Sequence, residues 1–148
     1  MHVTKRAAAA EDYDVVRQWH HAAFRDVVVR QFGTWDESRQ DGFSDDAWAP
    51  EATEIIIVDG VECGYCVVEH RDNAICLVDL VISPAYQGRG IGSTVLRALQ
   101  HQAVTERVPI HLRVLHANRA KELYTRLGFR PAGQTETHIL MSWSADQQ

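Results

Sequence analysis

The sequence predicts an α/β chain (α+β) of about seven strands and about four helices, in the order β-α-α-β-β-β-α-β-α-β-β. Three observations carry that prediction. Apolar runs of strand length flank Asp59-Gly60, a dipeptide suited to a two-residue hairpin turn. A further apolar run at 74–82 gives way to a glycine-rich loop and then to a helical pattern from Ile91. Near the start, Val15, Val16, Trp19, Ala22 and Ala23 recur at helical spacing.

Taken in order, residues 2–6 alternate enough for a short edge strand. Ala10 or Glu11 opens a helix running to Phe24, and a second helical stretch at 27–32 ends near Gly33. Residues 35–50 mix Trp35, Phe43 and Trp48 with acids and read as irregular or partly helical. Strands at 54–58 and 61–70 join across Asp59-Gly60. Arg71-Asp72-Asn73 turns the chain into the strand at 74–82. Ser83-Pro84 closes that strand, because proline has no N–H to donate and restrains the residue before it. A helix follows to about Arg107, and Pro109 precedes a strand at 110–115. Asn118 opens a helix ending at Leu127, with Gly128 placed as its C′ residue. Residues 129–133 and 137–143 form a last hairpin. There are no repeats, linkers or low-complexity segments.

At 148 residues the chain can bury one core, and a single domain over 1–148 is expected. The net charge of −5 argues against nucleic-acid binding, which favours a basic face. No apolar run approaches the length of a membrane span. Lys5 and Arg6 precede four alanines and then Glu11 and Asp12, too short and too soon acidic for a signal peptide. A cytoplasmic protein with no membrane partner is expected. Cys63 and Cys66 have C-x-x-C spacing but no second pair, and three-residue spacing on a strand puts them on opposite faces. Buried thiols and no metal are expected.

The run Gln87-Gly88-Arg89-Gly90-Ile91-Gly92 carries the most chemistry. Glycines at alternate positions let the backbone turn tightly and approach a ligand. With the helix that follows, the loop offers N–H groups and a positive dipole end to a phosphate or pyrophosphate. A dinucleotide fingerprint would need G-x-G-x-x-G, and position 93 is Ser; a P-loop would need Lys after the last glycine.

The pattern Gln87-x-x-Gly90-x-Gly92 resembles the acyl-CoA pyrophosphate loop of the GNAT superfamily of N-acetyltransferases. About 25 residues on, the run from Asn118 through Tyr124 to Gly128-Phe129 is similar to that family's second signature. The likeness extends from 61 to 143. It implies the GNAT fold, a mixed, strongly twisted sheet flanked by helices. It also implies an acetyl-CoA-dependent N-acetyltransferase working by direct transfer to a primary amine, with a small molecule favoured as acceptor. Two alternatives stay open: a protein α-amine or lysine as acceptor, and a CoA-binding sensor without turnover.

The resemblance also assigns roles. Gln87, Gly88, Arg89, Gly90, Ile91 and Gly92, with Ser93, would cradle the pyrophosphate, and Arg89 would reach it or the 3′-phosphate. The backbone of Leu80, Val81 and Ile82 would pair with the pantetheine arm, one N–H facing the thioester oxygen. Asn118 would orient the arm, cap its helix, or both. Tyr124 would protonate the departing thiolate. The base is open. Arg113 stands where relatives carry a Glu, and an arginine cannot serve. Asp79 is the first choice; Glu69, His111, His116, His138 and a water chain are the others. The acceptor is expected between the first two helices and the last hairpin, near Trp35, Asp36, Glu37, Phe43 and Trp48. The strand ending Leu140-Met141-Ser142-Trp143 leaves a homodimer open.

Overall fold

A computed structural model describes residues 1–148. Its seven strands form one mixed sheet, ordered β1-β2-β3-β4-β5-β7-β6, and four helices accompany it. The strands are β1 (Val3–Ala7), β2 (Thr53–Val58), β3 (Val61–Arg71), β4 (Ala74–Ile82), β5 (Ile110–Leu115), β6 (Arg130–Gln134) and β7 (His138–Trp143). The helices are α1 (Tyr13–Phe32), α2 (Glu37–Ala47), α3 (Ile91–Glu106) and α4 (Ala120–Arg126). This is the predicted α/β order. No helix is long and apolar enough to cross a membrane.

Two local expectations change. The two helical stretches before Gly33 are one 20-residue helix, because nothing in Arg25-Asp26 breaks it; Gly33, at φ 89°, ends it. Residues 37–47, which lack an apolar stripe, are fully helical. Asp36 caps that helix by accepting the Arg39 N–H at 3.0 Å, and none of its residues is buried.

The chain resolves into two compact units. The first spans Met1–Val67 and Asp79–Ile91. Its core is Val16, Ile55, Tyr65, Val67 and Val81, with Trp19, Phe24 and Trp48 packed against it. Asp59 and Gly60 both take positive φ, as a type I′ turn requires. At one edge, Arg6 grips buried Asp12 through two hydrogen bonds of 2.9 and 2.8 Å. That grip, with the Ala9 N–H, holds the Asp12 carboxyl down at about 2 against the opposing effect of burial.

The second unit spans Val68–Val78 and Gly92–Gln148. α3 buries Leu96, Leu99 and Ala103, and β5 buries Ile110, Leu112 and Val114. β5 pairs antiparallel with β7, setting Leu112 opposite Met141 and Ile110 opposite Trp143. Gly128, at φ 95°, follows α4 as predicted, and Phe129 beyond it is 1 % exposed.

Candidate active site

β4 is the strand on which the chemistry was expected, and it has two unusual features. It pairs parallel with β5 only at Ile75–Ile110, Cys76–His111 and Leu77–Leu112, and runs five residues past its last pair. It also uses one residue more than its hairpin partner. The turn at Asp72-Asn73 sets Arg71 opposite Ala74, which would bring Ile82 opposite Cys63. Instead the Ser83 N–H bonds the Cys63 carbonyl at 2.8 Å. The extra residue is a β-bulge, which turns a strand and re-aims its side chains. Opposite it lies Gly64, where an added Cβ would sit 2.2 Å from the Val81 carbonyl oxygen. Only glycine fits there, a constraint the sequence pattern does not announce.

Past the bulge comes the glycine loop. Gly88 and Gly90 take φ of 76° and 83°, and a Cβ on either would meet nothing within 4 Å. The loop surface is therefore open, and it feeds directly into the first turn of α3, whose leading N–H groups have no partner within the helix. Those are the features a pyrophosphate needs. Gly92 differs: it is helical, and its missing Cβ allows close approach of Leu123 Cδ2, 3.2 Å from where that carbon would be. The Gln87 side chain donates to the Ile82 carbonyl at 2.9 Å, tying loop to strand end. Arg89 lies over the Tyr86 ring, 4.9 Å from its centre. Ile91 is 1 % exposed, and Ser93 lies half-buried in the first turn of α3. Val81 is likewise 1 % exposed, while Leu80 and Ile82 are half-buried.

A cavity of ≈ 140 Å³ opens in the first unit. Tyr13, Arg17 and His20 of α1 line it with Phe43, Ser44 and Trp48, and its strand residues include Tyr65 and Asp79. Of the residues expected around the acceptor, Phe43 and Trp48 are in this lining. Trp35, Asp36 and Glu37 are not: Trp35 donates its indole N–H to Glu37 at 2.6 Å, and Asp36 caps α2. No residue of the last hairpin lines it either.

Asp79 is the chemically prepared group in this cavity. Burial pushes its carboxyl up to about 7, and a hydrogen bond from Tyr65 offsets part of that rise. Burial, then the Asp79 charge, holds the Tyr65 phenol well above its ordinary value, so Tyr65 stays a donor. A carboxyl that titrates near neutrality is matched to proton transfer at neutral pH. The other candidates are engaged elsewhere. Glu69 pairs with Arg71 at 3.1 Å. His116 Nε2 lies 2.9 Å from the Thr135 carbonyl, and His138 Nδ1 lies 2.7 Å from the Thr137 hydroxyl. His111 is exposed on β5, as is Arg113.

In the second unit, the Asn118 side chain accepts the Ala120 N–H at 2.9 Å, a turn just ahead of α4, whose N-cap is Arg119 and not the expected Asn118. Tyr124 is 7 % exposed and meets Phe129 edge to face at 5.6 Å. Donor atoms of His21, Glu37 and Asp41 lie within 4.8 Å of one another. Each is already partnered, His21 with Asp41 and Glu37 with Trp35. Cys63, Cys66 and Cys76 are free thiols. Tyr65 and His20 are the residues that sequence reasoning missed. Their only signal was a Tyr two residues beyond a C-x-x-C cysteine and a His on an apolar helix face, and neither pattern is specific.

The sequence profile of the family described as "Acetyltransferase (GNAT) domain" matches residues 51–131. Comparison with curated proteins gives no match. Among solved structures, the chain is similar to the PaiA N-acetyltransferase of Thermoplasma acidophilum in complex with coenzyme A. That similarity has TM-score 0.78 and 16% identity, over 96% of this chain and 98% of that one. It is similar to a GNAT-family acetyltransferase of Bacillus anthracis, with TM-score 0.68 and 13% identity, over 97% and 95% of the two chains. The Escherichia coli ribosomal-protein-S18-alanine N-acetyltransferase matches with TM-score 0.63 and 18% identity, over 95% and 92%. At these identities the likeness is one of fold.

Proposed function

Because the chain belongs to the acetyltransferase (GNAT) domain family, whose members are acetyl-CoA-dependent acyltransferases, we propose that it acetylates the primary amine of a small molecule by direct transfer. Residues 1–148 form one such domain in this reading. The observation that carries the proposal is Asp79, a carboxyl poised near neutral pH in the lining of a cavity rich in aromatic residues. The size of the cavity supports a small acceptor: ≈ 140 Å³ is close to the room a benzene-sized molecule occupies.

Acetyl-CoA supplies the acetyl group as a thioester. The backbone from Gln87 to Gly92, with Ser93, holds its pyrophosphate, and Arg89 adds a positive charge. The stretch Leu80-Val81-Ile82, beyond the last pair with β5, offers backbone groups to the pantetheine arm and an N–H to the thioester oxygen. Asn118 orients that arm from the turn ahead of α4. Asp79 removes a proton from the acceptor ammonium, whose ordinary pKa of about 10.4 keeps it charged at pH 7. The neutral amine attacks the thioester carbon, the C–S bond breaks, and Tyr124 gives its proton to the leaving sulfur; the second proton shed by the nitrogen passes to solvent, from which Tyr124 is restored. No cysteine takes the acetyl group in this scheme.

Calorimetric titration with acetyl-CoA, followed by thiol release across a panel of amines, tests the reading. Micromolar binding and turnover on a small amine are expected. Binding with turnover only on peptide amines would overturn the small-molecule assignment, and binding without any turnover would leave a CoA-binding module.

A further inference from the structure

Adjacent residues on a helix point about 100° apart, yet His20 and His21 meet nitrogen to nitrogen, with Nδ1 of one 3.3 Å from Nδ1 of the other. At the far side of His21, Nε2 lies 2.9 Å from Asp41 Oδ1 on α2. Arg17, 4.0 Å from the same oxygen, and Glu37, within 4.8 Å of the cluster, are the other charges there. The three groups form a chain, Asp41 to His21 to His20, whose hydrogens can be placed by elimination.

A carboxylate oxygen only accepts, so His21 Nε2 carries the hydrogen. Whenever His21 is neutral, as in the alkaline test below, its second nitrogen is an acceptor, so His21 Nδ1 then receives a hydrogen from His20 Nδ1. That leaves His20 Nε2 bare, a lone pair with no hydrogen. The His20 ring is held in place by stacking on Phe24, with centroids 4.6 Å apart and planes 18° apart. No hydrogen bond occupies Nε2. No buried side-chain nitrogen or oxygen lacks a partner, so Nε2 is reachable, and His20 lines the cavity that holds Asp79.

We infer that His20 Nε2 binds the acceptor, taking a hydrogen bond from its amine N–H, with Asp41 and His21 as positioning residues that fix the tautomer. The inference rests on the cavity being the amine site. His20 does not remove the proton: burial above all lowers it to about 4, well below Asp79. The division of labour suits a primary amine. After Asp79 takes one proton, a primary amine still has two N–H bonds, one to donate to His20 and one to spare, while its lone pair stays free to attack. A secondary amine keeps one N–H, which can still reach His20, so the contact is read from the loss of the His20 acceptor and not from N-methylation.

The first test needs no variant. In 15N-histidine-labelled protein at pH 8.5, where ordinary imidazoles are neutral, two-bond 1H–15N spectra should show His20 as the Nδ1–H tautomer. Saturating benzylamine should move its Nε2 resonance. An Nε2–H tautomer, or a resonance that benzylamine leaves unmoved, overturns the inference. A second test uses His20→Phe, which keeps the stack on Phe24 and removes the acceptor. KM for benzylamine should rise at least tenfold with KM for acetyl-CoA unchanged. An unchanged KM for benzylamine would count against His20. If the wild-type protein acetylates no amine, the proposed function fails on its own, and the tautomer and shift measurements still decide the role of His20.

Discussion

The glycine loop and the cavity around Asp79 are built in opposite ways. The loop presents backbone: Gly88 and Gly90 sit at positive φ with open space where side chains would be. The cavity presents side chains drawn from positions as far apart as Tyr13 and Asp79. In the loop, adding atoms should do the damage. In the cavity, removing them should. Substitutions of each kind can break that contrast or sharpen it.

Gly90→Asp is the largest expected effect. It forces a side chain into left-handed backbone and puts a carboxylate where a pyrophosphate is to bind. Two like charges about 4 Å apart near a protein surface repel by about 4 kcal/mol, roughly a 10³-fold loss of affinity. Calorimetry should detect no acetyl-CoA binding; unchanged affinity would remove the loop from the donor site.

Asp79→Asn, in the cavity, should lower kcat/KM for the amine by roughly 10³-fold while acetyl-CoA still binds. It should also stabilise the fold, and the sign follows from the direction of the shift. Between about 4 and 7 the folded state keeps a proton on Asp79 that the unfolded chain has released, so stability falls as pH rises through that window. The melting temperature of the variant should pull ahead of wild type from pH 4 to 7 and stay ahead above it. A variant that loses neither rate nor pH dependence would exclude Asp79 as the base.

This contrast also explains what could be read from the sequence. The order of all seven strands, and helices α1, α3 and α4, was legible, because hairpin turns, caps and strand-closing prolines are local chemistry. The loop was legible for the same reason: backbone binding needs glycines at fixed spacing, and spacing is visible in one dimension. α2 was not, because its polar surface carries no apolar period and its only start signal is Asp36. Tyr65 and His20 were not, because the perturbed Asp79 carboxyl and the ordered His20 tautomer exist only once distant segments meet. Trp35, Asp36 and Glu37 looked like cavity residues by composition, and their hydrogen bonds place them in capping and local pairing instead.

Tyr124→Phe should cost about 10²-fold in kcat with acetyl-CoA affinity intact, if its phenol protonates the leaving sulfur. Wild-type turnover would leave Tyr124 as a packing partner of Phe129 alone. Tyr65→Phe should cost only a few fold at high pH, and its signature is in the pH profile. Tyr65 stabilises the ionised carboxylate of Asp79, so removing its hydroxyl should move the acidic limb of kcat/KM upward from about 7. A limb that stays in place would show that some other group sets it.

Arg89→Ala is the smallest expected effect and the sharpest test of the contrast. Arg89 is exposed, and its guanidinium rests over the Tyr86 ring at 4.9 Å, a contact worth about 0.5–1 kcal/mol at an exposed site. If the loop binds through its backbone, deleting this side chain should weaken acetyl-CoA by about two- to fivefold, in line with one screened surface charge. The deficit should shrink in 0.5 M salt. A loss as large as that of Gly90→Asp would mean that a side chain, not the backbone of the loop, holds the phosphates, and the opposition between loop and cavity would collapse.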